Sequence, residues 1–460
     1  MKTTKLFFMA ALALMTAACS NDDNDFAQQP AEQAANGEIT ITATVSSDEG
    51  ATTRALSIDG SNIASTWETT DEFAILFNDG SNNVKRTATV QSINGSNVTI
   101  TFTIPESLAS NTACTIVYPA SAANDANTGA DVATALATQD GTIENCPEVR
   151  VGTATIDKDN HSLSDVTKLT AQNAIFKFTL QDLSDAAKSA TEFKVSDGSG
   201  NVMTTVTPGS ASGELYVALP VMAAGTYWFN ATIDSKPYIA KATTAAATVA
   251  GKYYQTTVKM ATIGDVILSD GKFAARSSTG TKVAMIAYLG SETGEAAPYN
   301  HGLALALSDA NGGSNCKWKT ENTDAGHTKQ TDKNNFTSES GLQYNATHNS
   351  DTYPAFKAAI ANNSTAAPTG CSSWFLASGY QWNKMINACK NVLGTKNNYQ
   401  DLRNGFNGIS GASNLKSACY WSSTENNTSK AWDLNFMNGN WLDDSKNDAY
   451  ACRVRACLAF

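Results

Sequence analysis

Two periods of hydrophobicity divide this chain. Up to about residue 260, apolar side chains recur at every second position in short runs. Glu38-Ile39-Thr40-Ile41-Thr42-Ala43-Thr44-Val45 alternates apolar and polar residues, the pattern of a strand with one buried face. Residues 71–77 form a denser apolar run. Residues 85–104 read as a hairpin turning on Asn94-Gly95, a dipeptide that tolerates the positive φ of a tight turn. A strand over 113–118 stops at Pro119, and a loop rich in Ala, Asp, Asn and Gly covers 120–142. The pattern restarts near Leu169, with strands predicted over 174–180, 191–195, 214–219, 226–233 and 252–260. Short strands at regular spacing, with no helix of substance, predict β-sandwiches, one over 37–168 and a second over 169–262.

Beyond residue 263 the pattern mixes. Strands are predicted over 265–269, 283–289 and 302–307, then a polar loop over 309–352. Two helices follow, over 354–361 and 379–393. Ser378 and Gln381 have the spacing of a capping box, and Gly394 ends the longer helix. Trp382, Met385, Ile386, Cys389 and Leu393 recur on one face and read as core. A last strand is predicted over 451–460. The fold class is mainly β, two tandem sandwiches followed by an α+β unit over 263–460.

Composition narrows the function. The chain has 460 residues, 42% of them hydrophobic and only 16% charged, with a net charge of −11. An acidic chain without a basic stripe disfavours nucleic acid, whose phosphates need clustered Lys and Arg. Lys2 and Lys5, the apolar run 6–15 and Thr16-Ala17-Ala18-Cys19 form a secretion signal rather than a membrane span. The cysteine at the cut site resembles a bacterial lipoprotein signal. That resemblance implies a signal peptide over 1–18, lipidation at Cys19 and an outer-membrane lipid anchor. The tether over 19–36 opens with Ser20-Asn21-Asp22-Asp23-Asn24-Asp25, similar to the acidic export tag of Bacteroides-like surface lipoproteins. The eight remaining cysteines, an even number in an exported chain, predict disulfides of open connectivity. No CxxC pair or Cys/His cluster with zinc spacing is present, so neither a metal nor a cofactor is predicted.

Three sequence pieces resemble the fimbrillin-like family of Bacteroides pilus subunits. They are Thr53-Arg54-Ala55 after the first strand, Trp67-Glu68-Thr69-Thr70-Asp71-Glu72-Phe73, and Ala250-Gly251-Lys252-Tyr253-Tyr254. The resemblance implies two transthyretin-like sandwiches. It also implies processing between Arg54 and Ala55, and pilus subunits as partners through donor-strand exchange. The final unit resembles C-type-lectin-like domains through Trp374-Phe375-Leu376-Ala377-Ser378-Gly379-Tyr380-Gln381-Trp382, Tyr420-Trp421-Ser422-Ser423-Thr424-Glu425 and Arg453-Val454-Arg455. Phe375, Ala377 and Gln381 depart from that family's pattern. This fold implies pairing of the unit's first and last strands, with long loops on the opposite side for ligand.

The likeliest ligand surface is the polar stretch 425–450. Asn426, Asn427, Trp432, Asn435, Asn438, Asn440, Trp441 and Asp443 combine aromatic faces with directed polar groups. Asparagine is also a turn former, and a tryptophan here is equally a core residue. The calcium-binding Glu-Pro-Asn tripeptide is absent. No nucleophile motif accompanies His161, His301, His327 or His348, and no carboxylate pair stands out, so no enzyme activity is predicted. The expected function is a pilus-associated, tip-positioned adhesin that binds a glycan or protein ligand. The alternative is a monomeric surface lipoprotein that captures glycan for nutrient uptake.

Overall fold

The computed structural model describes residues 37–47, 57–59, 62–64, 67–124, 129–394, 398–448 and 452–460. Cys19, Arg54 and Ala55 lie outside the described residues. The chain is mainly β.

Period-two patterning becomes strands because alternate side chains reach one side. β1 (Glu38–Ser46) buries Ile41, Ala43 and Val45 and turns Thr42 and Thr44 outward. It joins β2 (Glu72–Asn78), β3 (Asn83–Asn94), β4 (Asn97–Pro105), β5 (Thr112–Tyr118) and β6 (Arg150–Asp157) in the order β1-β4-β3-β2-β5-β6, continued by Ser162–Ser164. Gly95 has φ +60° in the β3–β4 turn, which suits the Asn-Gly pair. This is one continuous sheet rather than two facing ones. It curls until its ends meet, where Thr42 N donates to His161 O at 3.1 Å. Asp71 is buried because it is used: its carboxylate accepts from Glu68 N at 2.7 Å and from the Tyr118 hydroxyl at 3.0 Å.

The second sheet holds β7 (Asn173–Asp182), β8 (Glu192–Ser196), β9 (Val202–Val206), β10 (Glu214–Pro220), β11 (Gly225–Ile233), β12 (Lys236–Thr244) and β13 (Tyr253–Thr262). Their order is β10-β7-β13-β12-β11-β8-β9. β13 runs parallel to β7 and then pairs with β12 through Tyr238↔Thr262, so one strand carries the sheet round a corner. Phe178, Phe193 and Phe229 meet in the core, with centroids 5.3 to 6.0 Å apart. The loop expected over 120–142 does more than connect. Gln139 donates to Ala218 O and accepts from Ala218 N, both at 2.8 Å. Leu136, Cys146 and Val149 fill an apolar layer with Leu76 and Val117 of the first sheet and Ile175 of the second.

The third unit contains β14 (Val266–Leu268), β15 (Lys282–Leu289), β16 (Gly302–Ala306), α1 (Gly341–Thr347), α2 (Pro354–Ala361), β17 (Phe375–Leu376), α3 (Gly379–Leu393), β18 (Cys419–Glu425), β19 (Lys430–Asn435), β20 (Asn440–Ser445) and β21 (Ala456–Ala459). α3 begins with the expected capping box, and Trp382, Met385, Ile386 and Cys389 are buried. The expected pairing of first and last strands does not occur. The order is β14-β15-β16-β21-β17, because the nearly all-apolar β15 and β16 are buried on both faces and take the centre. β21 is hydrogen-bonded on both sides, and Phe460 is 0% exposed. Trp228, Ile239 and Ala261 of the second sheet belong to the same core as this unit. The His301 ring stacks on Trp228 at 4.0 Å.

The expected disulfides are absent: all eight described cysteines are free thiols. Cys114 lies in the first core, Cys146 in the shared layer, and Cys389 and Cys457 in the third core. Buried cysteines in separate places act as small apolar side chains.

Candidate functional site

The third unit carries a three-stranded ribbon, β18-β19-β20, apart from its main sheet. Its first strand is interior. Tyr420 to Glu425 are all buried, and the strand is tied to its surroundings by several side-chain and backbone hydrogen bonds. Trp421 Nε1 donates to Cys316 O at 2.9 Å, and Trp318 Nε1 donates to Ser422 O at 2.7 Å. A His327 ring nitrogen lies 3.0 Å from Ser423 O. Thr424 Oγ1 donates to Glu339 Oε2 at 2.7 Å and accepts from Gly379 N at 2.9 Å. Glu425 pairs with Lys446, both 0% exposed, and also accepts from Ala325 N. Arg455 Nε donates to Asp309 Oδ1 at 2.9 Å, and the Tyr420 hydroxyl donates to the same carboxylate at 3.0 Å. The Tyr-Trp-Ser-Ser-Thr and Arg-Val-Arg segments thus brace the long loop over 309–352. They do not face a ligand.

Alternation decides what the other two strands present. Trp432 and Trp441 share a face turned into the unit. Trp432 is 5% exposed and donates its indole N–H to Gln330 O. Trp441 is half-buried, donates to Asn383 Oδ1 at 3.1 Å and meets Phe336 at 4.7 Å. Trp432 is therefore core, and Trp441 is only partly exposed. Leu442, one residue on, faces outward, and Met437 in the β19–β20 turn is 63% exposed. Sequence reasoning passed over both residues. The available signal was period two: if Trp441 faces in, Leu442 faces out.

The asparagines mostly serve the turns. Asn427 Oδ1 accepts from Ser429 N and Lys430 N. Asn435 Oδ1 accepts from Met437 N at 2.8 Å, and Asn438 Oδ1 accepts from Asn440 N at 3.0 Å. Asp443 accepts from Asn426 Nδ2 at 2.9 Å and pairs with Lys430 at 3.0 Å. Asn438 and Asn440 are exposed at the tip, beside Met437. The structure thus gathers Met437, Asn438, Asn440 and Leu442 at one protruding turn, and leaves Asn426, Asn427 and Asp443 near its base.

Two other features could take a ligand. A cleft of about 590 Å³ is lined by Glu295, Tyr299, Ser340, Asn345, Ser373 and Trp374. Its polar lining is engaged internally: Asn345 donates to Gly341 O and accepts from Leu376 N, and Glu295 accepts from Ser340, Leu342 and Gln381. The second is a cluster of Cys419, Asp433, Asp444 and Cys452 on the ribbon. Asp443 and Asp444 alternate faces and do not act together. Burial, with Cys419 and Asp444 adding to it, pushes the Asp433 carboxyl up to about 9.

No protein-family model and no curated protein matches this chain. Solved structures do. The chain is similar to a fimbrial protein from Bacteroides ovatus at 13% identity, over 92% of this chain and 99% of that one, with a TM-score of 0.33. It is similar to a fimbrial assembly protein from Parabacteroides distasonis at 11% identity, over 48% of this chain and 90% of that one, with a TM-score of 0.27. It is also similar to the tip fimbrial protein Mfa3 from Porphyromonas gingivalis at 10% identity, over 49% of this chain and 98% of that one, with a TM-score of 0.24. These are loose superpositions of fimbrial proteins, and the ribbon's chemistry is read from its own geometry.

Proposed function

We propose that this chain is a cell-surface, pilus-associated adhesin. The first two units, 37–168 and 169–262, form its docking part, and the unit over 263–460 presents the ribbon tip to a glycan or protein ligand. One observation carries the assembly side: the first and last strands among the described residues are held in opposite ways. β1 is an edge strand hydrogen-bonded to β4 along Glu38↔Pro105 to Ser46↔Asn97. Its withdrawal would open the β4 backbone and vacate the sites of Ile41, Ala43 and Val45, a groove shaped for a neighbour's strand. β21 is buried between two strands and cannot be donated without unfolding its unit. Such a subunit can receive a neighbour's strand through β4. Anchoring at Cys19 and processing after Arg54 complete the scheme.

The ligand side rests on Met437 and Leu442, large apolar side chains exposed among Asn438 and Asn440. Exposed apolar groups set among hydrogen-bonding ones are what a recognition patch uses. Mass spectrometry of the chain recovered from cells tests assembly. A mature N-terminus at Ala55 supports strand exchange; an acylated Cys19 still joined to β1 in assembled polymer refutes it. Binding should be measured on the full chain, because the third unit shares its core with Trp228, Ile239 and Ala261 of the second unit.

A further inference from the structure

The Cys419, Asp433, Asp444 and Cys452 cluster is independent of the adhesin reading. Strand register places it. Asp433 on β19 lies opposite Trp421 on β18 and Leu442 on β20. Cys419 is two residues from Trp421, and Asp444 is two residues from Leu442. All three side chains therefore share one face, on a diagonal across the ribbon. On the free side of β18, Tyr420 bridges Arg453 in parallel, Trp421 N donates to Arg453 O at 3.0 Å, and Arg453 N donates to Cys419 O at 2.9 Å. That pairing sets Cys452 beside Cys419 on the same face. One ligand atom from each of the four residues lies within 4.8 Å of all the others.

The burial of the cluster points to a ligand. Asp433 and Cys452 are 0% exposed, while Cys419 and Asp444 are half-buried and leave a way in. Among the described residues, neither oxygen of Asp433 has a hydrogen-bond partner outside the cluster; only the Cys419 and Cys452 thiols lie against it. An orphaned carboxyl in the interior is costly. The same unit gives its other buried acids partners, Lys446 for Glu425 and Arg455 for Asp309.

We propose that these four side chains bind one divalent transition-metal ion of the zinc class. Two thiolates and two carboxylates close a tetrahedral shell. Zinc–sulfur and zinc–oxygen bonds of about 2.3 and 2.1 Å hold tetrahedral ligand atoms roughly 3.3 to 3.8 Å apart. The cluster reaches that spacing by drawing in about 1 Å, a small rotamer adjustment. Two soft sulfurs and only two acidic side chains do not suit calcium or magnesium, which surround themselves with six or more oxygens. On binding, each thiol and the Asp433 carboxyl release their protons to solvent, and lone pairs of the two sulfurs and the two carboxylate oxygens go to the metal. The ion ties all three ribbon strands to the segment that leads into β21, which fixes the tip in place.

The test uses untagged full-length chain, reduced, stripped with a chelator and titrated with Co²⁺ under anaerobic conditions. One ion per chain should bind, with a thiolate-to-cobalt charge-transfer band and the visible bands of tetrahedral cobalt; Zn²⁺ should displace it and raise the ribbon's melting temperature. Cys419→Ser and Asp444→Asn, both at half-exposed positions, should each weaken binding by at least about tenfold. Cys371→Ser, outside the cluster, should leave it unchanged. Three results overturn the proposal: no thiolate band in the wild-type chain, equal loss in Cys371→Ser and Cys419→Ser, or a Cys419–Cys452 disulfide in protein prepared anaerobically.

Discussion

The buried pair Lys446–Glu425 offers the sharpest test of what holds the ribbon. Both side chains are 0% exposed. Lys446 Nζ also donates to Thr428 O at 2.8 Å and Thr323 O at 3.1 Å, which ties the ribbon to the loop over 309–352. Lys446→Met keeps the length of the side chain and removes its charge. The Glu425 carboxylate is then left in the interior with Ala325 N as its remaining donor, and two carbonyls lose a partner. Breaking a buried pair from one side costs about 3–5 kcal/mol. For a unit of this size that corresponds to a melting shift of roughly 6–20 °C. Urea unfolding followed by tryptophan fluorescence reads it directly, since Lys446 Nζ lies 5.3 Å from the Trp318 ring centroid. Adding Glu425→Gln removes the stranded charge while keeping an acceptor for Ala325 N, so the double variant should recover at least about 2 kcal/mol of the loss. A Lys446→Met chain within about 1 kcal/mol of wild type would refute the reasoning, because a charge stranded without solvent cannot cost so little.

Three further outcomes are expected. His327 is held neutral, its pKa lowered to about 3 by burial and then by the facing His348, with Lys446 and Asp324 also near. An unfolded histidine takes up its proton near pH 6.5, so stability is full above that value. It falls as pH drops from 6.5 towards 3, by up to about 1.4 kcal/mol per pH unit; His327→Gln should flatten this limb of the stability–pH curve, and an unchanged slope would count against it. Ser378→Ala removes the α3 cap, an acceptor for Gln381 N at 3.2 Å and a donor to Glu339 O at 3.0 Å, and should cost about 1–2 kcal/mol in denaturant titrations. Met437→Asp, 63% exposed in the wild type, should leave the melting temperature within a degree or two and abolish capture on a glycan or protein array; full retention would move the ligand surface away from the tip.

The sequence alone determined most of the elements. Periods of two and 3.6 are local properties of the backbone, so β1, the β3–β4 hairpin and α3 with its Ser378–Gln381 cap could be read from neighbouring residues. β6 escaped because Arg150 and Gly152 interrupt its apolar alternation, and α1 because it sits in a polar run. Tertiary structure decided everything that depends on which strands meet. It curled the first sheet into one piece, placed β21 between β16 and β17, and bound the third unit to Trp228 of the second. It turned Trp432 and Trp441 inward and so moved the exposed patch to Met437 and Leu442. It also gathered Cys419, Asp433, Asp444 and Cys452, whose sequence spacing matches no metal motif. Those contacts arise from strand register and from a parallel neighbour on the far side of β18. Register is settled by which faces the whole unit can bury, and a linear string does not carry that information.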